Sequence, residues 1–101
     1  MTDTAYEVAV EKDLTHLIPR YLENRKNDVI LMRSALARDD LAQVRYLSRR
    51  LKGFGATYGF SGIAIFGARI EQCLKAGDIA AIQAILDAYE QYLSKVRVTF
   101  V

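Results

Sequence analysis

The sequence predicts an all-α fold, an antiparallel up-down-up-down four-helix bundle with a short N-terminal capping segment. Two observations predict it. Apolar residues recur at helical spacing in four successive segments. Breaks of only two to four residues separate these segments, so each helix has little choice but to pack beside its predecessor. At 101 residues the chain has the length of one domain with one core, and we expect residues 1–101 to form a single domain.

The composition is that of a folded protein. Apolar residues make up 51% and the formal net charge is +2, values typical of globular rather than disordered chains. The apolar runs are far shorter than a membrane span, and Met1–Thr4 lacks the basic and apolar regions of a signal peptide. A single cysteine, Cys73, excludes an internal disulfide. These features predict a cytoplasmic protein.

The N-terminal part of the sequence predicts an arm, a short turn and a first long helix. The weak periodicity from Met1 to about Val10 predicts a loosely held arm. Asp13–Ile18 is expected to form a short helical turn that caps the bundle. Pro19 suits the first turn of a longer helix, where its missing N–H costs nothing. That helix extends to about Ala37, and Arg25 interrupts its apolar stripe.

Capping residues delimit the second and third helices. Asp39 or Asp40 can cap the second helix, because a carboxylate accepts hydrogen bonds from the exposed N–H groups there. The second helix ends near Gly59, since glycine is the natural C-terminal residue of a helix. Ser61 is expected to cap the third helix, which ends at Ala76-Gly77.

Asp78 is expected to cap the fourth helix, and Val96–Val101 to continue that helix or to fray from it. The apolar positions expected to form the core are Ile18, Tyr21, Leu22, Val29, Met32 and Leu36 in the first helix, Val44, Leu47, Leu51, Phe54 and Tyr58 in the second, Ile63, Phe66, Ile70 and Leu74 in the third, and Ile79, Ile82, Ile85, Leu86, Tyr89, Leu93 and Val96 in the fourth.

The second helix has an outer face that core packing does not require. Opposite its apolar arc lie Arg45, Arg49, Lys52, Gly53 and Ala56. This face combines closely spaced cations with bare backbone. It therefore predicts a surface for a partner molecule.

Gly53, Gly55 and Gly67 stand in the middle of predicted helices. Each costs about 1 kcal/mol relative to alanine, so each calls for a structural or functional reason. Gly53 indicates close approach by a neighbouring helix or by a partner. Gly55 and Gly67 are expected to mark tight helix–helix crossings.

The run Arg49-Arg50-Leu51-Lys52-Gly53, followed by Gly59, resembles the signature of histidine-containing phosphotransfer (HPt) domains. That signature is H-x-L-K-G with a glycine about six residues later, and Leu51, Lys52, Gly53 and Gly59 match it. The resemblance covers nearly the whole chain. The flanks that also read as this family are Asp13-Leu14, Leu17-Ile18-Pro19 and Ala76-Gly77-Asp78. The departure is Arg49, which stands where the family has its phospho-accepting histidine.

The resemblance implies a four-helix module of a two-component phosphorelay whose partner is a response-regulator receiver domain or a sensor histidine kinase. It places Lys52 to neutralise phosphoryl oxygens and Gly53 to leave room for a partner's loops. Arginine is permanently protonated and offers no lone pair for attack. We therefore expect a module that cannot carry phosphate and acts by docking. The residues expected to contact the partner are Arg45, Arg49, Arg50, Lys52, Gly53 and Ala56.

Two alternatives remain open at this stage. The relay could be genuine but use another residue. His16 is the only histidine and lies in the capping segment, while phosphorylation of Ser48 or Thr57 would need different chemistry.

The second alternative is binding of nucleic acid or an anionic surface. The cluster that would contact phosphates is Arg45, Arg49, Arg50 and Lys52, with Tyr46 nearby. A net charge of only +2 and acidic residues spread throughout the chain argue against this function.

Enzymatic activity is not expected. The sequence has no His–carboxylate pair at catalytic spacing and no nucleophile elbow, and Gly53-Phe54-Gly55 lies inside a helix rather than in a phosphate-binding loop. His16 and Cys73 are its only soft metal ligands. We expect no metal, no cofactor, no membrane association and a monomer.

Overall fold

The computed structural model describes residues 6–101. It contains four α-helices, α1 (Ile18–Ala37), α2 (Leu41–Tyr58), α3 (Ser61–Ala76) and α4 (Ile79–Lys95). Each helix packs against the next one along the chain, and α1 also contacts α4. The predicted four-helix bundle is confirmed. The antiparallel direction of neighbouring helices remains a prediction from the short connections.

Aspartate caps begin two of the helices. The Asp40 carboxylate accepts a hydrogen bond from the backbone N–H of Gln43 at 3.2 Å, and the Asp78 carboxylate accepts one from Ala81 at 3.2 Å. Each bond satisfies an N–H group that has no partner inside its helix. The capping roles predicted for these aspartates are confirmed.

Left-handed glycines end α2 and α3, as predicted. Gly59 has φ 81° and Gly77 has φ 74°, a region in which other residues are strained. The start of α3 differs from the prediction. Ser61 is its first helical residue rather than its cap, and Phe60 holds the capping position without a side-chain bond. The fully buried Phe60 ring fixes this start.

A 3-10 segment, Lys12–Leu17, precedes α1, which confirms the predicted short helical turn. Pro19 lies in the first turn of α1, where the sequence predicted it. His16 is exposed on this 3-10 segment.

The chain ends form a two-stranded parallel sheet that sequence reasoning missed. Strand β1 (Tyr6–Val10) pairs with β2 (Val96–Phe100), in a register that begins at Tyr6 and Val96. The predictions of a loose arm and of a helical or frayed C-terminus are therefore wrong for these residues. Each strand receives its hydrogen bonds from the far end of the chain, which no local pattern reveals. The rest of the predicted arm, residues 1–5, lies outside the described residues.

The core combines the apolar stripes of all four helices with Val10 and Phe60. Its largest fully buried side chains include Met32, Leu51 and Tyr89. Several predicted core positions are only partly buried and surround this centre: Leu22, Leu36, Phe54, Tyr58, Phe66, Ile79, Ile85 and Val96. Cys73 belongs to the same partly buried shell.

Helices α2 and α3 approach closely at two glycines. A Cβ atom on Gly67 would lie 2.6 Å from the carbonyl oxygen of Ser48 and 2.9 Å from the backbone nitrogen of Lys52. A Cβ atom on Gly55 would lie 2.5 Å from the backbone nitrogen of Ala64. Since the backbone cannot yield as a flexible side chain can, both glycines are required for packing. The predicted tight crossings are confirmed.

Gly53 and Gly67 predict opposite effects of the same substitution. Gly67→Ala should lower the free energy of unfolding by about 1–3 kcal/mol, because the new methyl group overpacks the α2–α3 contact. Gly53→Ala should raise it by about 0.5–1 kcal/mol, because in the described part of the chain no atom outside its own stretch of α2 lies within 4 Å of its Cβ position. Urea denaturation of the two variants measures both changes. Shifts of the same sign would contradict this distinction.

Candidate functional site

The outer face of α2 presents the residues that the periodicity predicted. Arg45, Arg49, Lys52, Gly53 and Ala56 are all exposed. Residues three or four positions apart are neighbours on a helix surface, so these five form one continuous strip. We call this strip the outer face of α2.

Arg50 lies on another side of the helix. It is half-buried, and its guanidinium carbon lies 5.2 Å from the ring centre of Phe54 and 5.5 Å from that of Tyr46. It lines a cleft between α1 and α2. The predicted cluster of four cations is therefore divided between two surfaces.

Glu71 of α3 holds two of the cations on the outer face. Arg49 Nε donates to Glu71 Oε2 at 2.9 Å, and Lys52 Nζ donates to Glu71 Oε1 at 2.9 Å. Only 12% of the Glu71 side chain is exposed. The hydrogen bonds from Lys52 and Arg49 lower the pKa of Glu71 to about 2, so the carboxylate is ionised at neutral pH.

Sequence reasoning missed Glu71, although a signal for it was present. Gly67 was expected to mark a crossing with a neighbouring helix, and Glu71 lies four residues later on the same face of α3. A charged residue on a stripe that faces another helix requires a partner. The cations of α2 were the available partners.

The outer face keeps a positive balance despite this carboxylate. Arg49 and Lys52 have side chains that are 65% and 46% exposed, and Arg45 adds a further exposed cation. Lys75, four residues after Glu71, also lowers the pKa of that carboxyl through its charge. The surface is therefore suited to an acidic partner.

The other candidate nucleophiles differ in accessibility and position. The hydroxyl of Ser48 is buried and donates to the carbonyl oxygen of Arg45 at 2.9 Å, so it is not accessible in the folded domain. Thr57 donates to the carbonyl oxygen of Gly53 at 2.9 Å. His16 belongs to the 3-10 segment rather than to α2.

Within residues 6–101, no group of three or more His, Cys, Asp or Glu side chains is arranged to hold a metal ion. None of the helices in that part of the chain is both long and apolar enough to cross a membrane.

Comparison with protein-family models identifies the class of the domain. The model of the Hpt domain matches residues 16–99, which include all four helices and most of β2. The chain belongs to the Hpt domain family, whose members are signalling modules of two-component phosphorelays and interact with receiver domains and kinases. Neither the curated proteins nor the solved structures gave a match.

The acid stability of the domain should depend on Glu71. Because its folded-state pKa of about 2 lies below the ordinary value of 4.5, its ionised form stabilises the fold above about pH 4.5. This contribution is lost as the pH falls through the folded-state pKa. Glu71→Gln should lower the free energy of unfolding by roughly 1 kcal/mol at neutral pH and by almost nothing near pH 2.

Urea denaturation at several pH values measures this difference. Glu23→Gln is a suitable control, since it removes an exposed carboxylate of α1. A constant effect of Glu71→Gln across the acid range would contradict the ion pairs as the cause.

Proposed function

We propose that this Hpt domain does not carry phosphate itself and acts by docking on a receiver domain through the outer face of α2. The observation on which the proposal rests is the presence of arginine at position 49. By the resemblance of Arg49-Arg50-Leu51-Lys52-Gly53 to the family signature, Arg49 stands where that signature has its phospho-histidine, with Lys52 and Gly53 following it. A histidine kinase domain is the second partner class that the family offers.

The loss of phosphate transfer follows from the chemistry of arginine. A phosphoryl acceptor needs a lone pair on an accessible atom, and a guanidinium has none at any physiological pH. Lys52, which would neutralise a phosphoryl group, is already hydrogen-bonded to Glu71. Intrinsic catalysis therefore forms no part of the proposed function.

Charge supports docking on a receiver. Receiver active sites are acidic, and the outer face of α2 carries Arg45, Arg49 and Lys52 against the single carboxylate of Glu71. The Arg49 side chain is 65% exposed while it is paired, so its guanidinium can donate to a second carboxylate without first leaving Glu71. Exposed charge pairs are weakened by salt, and we expect the affinity to fall as ionic strength rises.

Gly53 supports docking at the same surface because it has no side chain. It stands in the middle of a helix, where alanine would be more stable, and within residues 6–101 nothing beyond its own stretch of α2 lies within 4 Å of its Cβ position. Packing inside the domain therefore does not require a glycine at position 53. Close approach by a partner would require one.

Enlarging Gly53 should weaken docking without damaging the fold. Gly53→Leu should reduce the affinity for a cognate receiver domain about tenfold or more, which corresponds to about 1.4 kcal/mol. The added side chain would stand where the partner approaches. Ala88→Leu is a matched control, because it adds the same side chain to an exposed position of α4. Calorimetric titration measures both affinities.

Chemical-shift mapping with the same receivers gives an independent result. Perturbations should centre on the outer face of α2 and weaken with salt. Equal loss of affinity in both leucine variants, or shifts centred on another surface with every receiver and kinase domain tried, would overturn the proposal.

Restoring the nucleophile should restore phosphate acceptance. In Arg49→His an imidazole nitrogen can attack the aspartyl phosphate of a receiver, so that an N–P bond forms and the P–O bond to the aspartate breaks. Glu71 would remain beside the transferred phosphoryl group and repel it. The double variant Arg49→His/Glu71→Gln should therefore accept phosphate several-fold faster than Arg49→His alone.

Transfer of labelled phosphate from a phosphorylated receiver measures this. The unmodified domain should take up no labelled phosphate, whereas the Arg49→His variant should. The double variant Arg49→His/His16→Gln should take up as much label as Arg49→His. Label on the unmodified domain would show that it does carry phosphate. Absence of label from both variants would mean that more than the nucleophile differs from a working phosphotransfer site.

A further inference from the structure

A second surface of α2 carries a different chemistry. A cleft of about 220 Å³ lies between α1 and α2. Its lining includes the cations Arg20, Arg25 and Arg50 and the aromatic rings of Tyr21, Phe54 and Tyr58. Among the described residues no acidic side chain lines it. The cleft is separate from the outer face of α2, because Arg50 and Arg49 point to different sides of the helix.

Arg25 is the unusual residue of this cleft. It is only 3% exposed, and its Nε donates to the equally buried Asp28 at 2.7 Å. Its guanidinium carbon lies 4.3 Å from the ring centre of Phe54 and 5.0 Å from that of Tyr21. The ion pair fixes one edge of the guanidinium, and the Phe54 and Tyr21 rings pack against it, so its orientation is held from three sides.

The remaining edge of Arg25 has unused donors. A guanidinium has five N–H donors, and Nε donates to Asp28. Burial raises the pKa of Tyr21 to about 12, while the charge of Arg25 and a hydrogen bond with it oppose that rise, so part of the remaining edge faces the Tyr21 hydroxyl. Arg25 also lines the cleft, and the remaining donors of a buried cation require partners.

The walls of the cleft define what could satisfy these donors. Asp28 balances one of the three cations, which leaves a positive site for an oxyanion. The ring centres of Tyr21 and Tyr58 lie 4.6 Å apart, and Phe54 meets Tyr21 edge-on at 6.5 Å. These rings offer apolar surface to a flat group attached to that oxyanion.

We propose that the α1–α2 cleft binds a carboxylate or phosphate group carried on a small aromatic body. The terminal nitrogens of Arg25 and the guanidinium of Arg50 hold the oxyanion, Arg20 adds positive charge at the mouth, and the aromatic walls hold the attached ring. This site is independent of the receiver docking proposed for the outer face of α2.

The proposal is tested by titrating the whole domain with phenyl phosphate, benzoate and inorganic phosphate at constant ionic strength, with amide and arginine Nε–H signals followed by NMR. Phenyl phosphate and benzoate should shift signals of Tyr21, Arg25, Arg50 and Phe54. Phenyl phosphate should bind several-fold more tightly than inorganic phosphate because only it contacts the rings. The relative affinities of phenyl phosphate and benzoate decide between phosphate and carboxylate.

Matched variants locate the site. Arg50→Gln should weaken phenyl phosphate binding about tenfold, whereas Arg45→Gln, which removes the same charge from the outer face of α2, should leave it unchanged. Arg25 cannot be removed alone, because Asp28 would then be a buried unpaired charge. The double variant Arg25→Met/Asp28→Leu keeps the interior apolar and should abolish the shifts while the domain stays folded.

Three results would overturn the proposal. One is an equal loss of affinity in Arg45→Gln and Arg50→Gln, which would mean general attraction to a basic surface. Another is shifts spread over all exposed cations. The third is no shift with any of the three anions at tens of millimolar.

Discussion

The close contact between α2 and α3 is the constraint on which the candidate site depends. Gly55 and Gly67 allow the two helices to approach until backbone meets backbone. One turn beyond Gly67, this approach brings Glu71 beneath Arg49 and Lys52. A wider spacing would leave the carboxylate out of reach of both cations. The packing of two glycines therefore determines the electrostatics of the outer face of α2.

Electrostatic contacts serve different purposes in different parts of the bundle. Arg33 joins α1 to α4 through Asp87 and Glu90, whose exposed side chains make such contacts weak. The pair of Arg25 and Asp28 is almost completely buried, and burial raises the pKa of Asp28 while the charge of Arg25 opposes that rise. A buried pair is weak evidence for added stability. Its value here is that it gives the guanidinium a fixed direction.

Helix α2 presents two surfaces because successive residues of a helix point about 100° apart. Arg49 and Arg50 are adjacent in the chain, yet the first meets Glu71 of α3 and the second stacks on Phe54 beside α1. On one side, Arg49 and Lys52 are exposed cations that both contact the carboxylate of Glu71. On the other side, cations and aromatic rings surround a cleft. The two surfaces of α2 therefore differ in both position and composition.

The sequence by itself determined the four helices, the aspartate caps and the terminal glycines, because each depends on residues within a few positions of one another. It also marked Gly55 and Gly67 as crossing points, because glycine in the middle of a helix calls for a close neighbour, although their partners lie elsewhere in the chain. Only the tertiary structure decided the pairing of β1 with β2, the start of α3 after the buried Phe60, and the contact of Glu71 with α2. These features depend on contacts between residues that lie far apart in the chain. The local pattern of apolar residues does not reveal such contacts. Arg25 illustrates the difference: the sequence marked it as an interruption of an apolar stripe, and only the packing of α1 against α2 made it a buried donor.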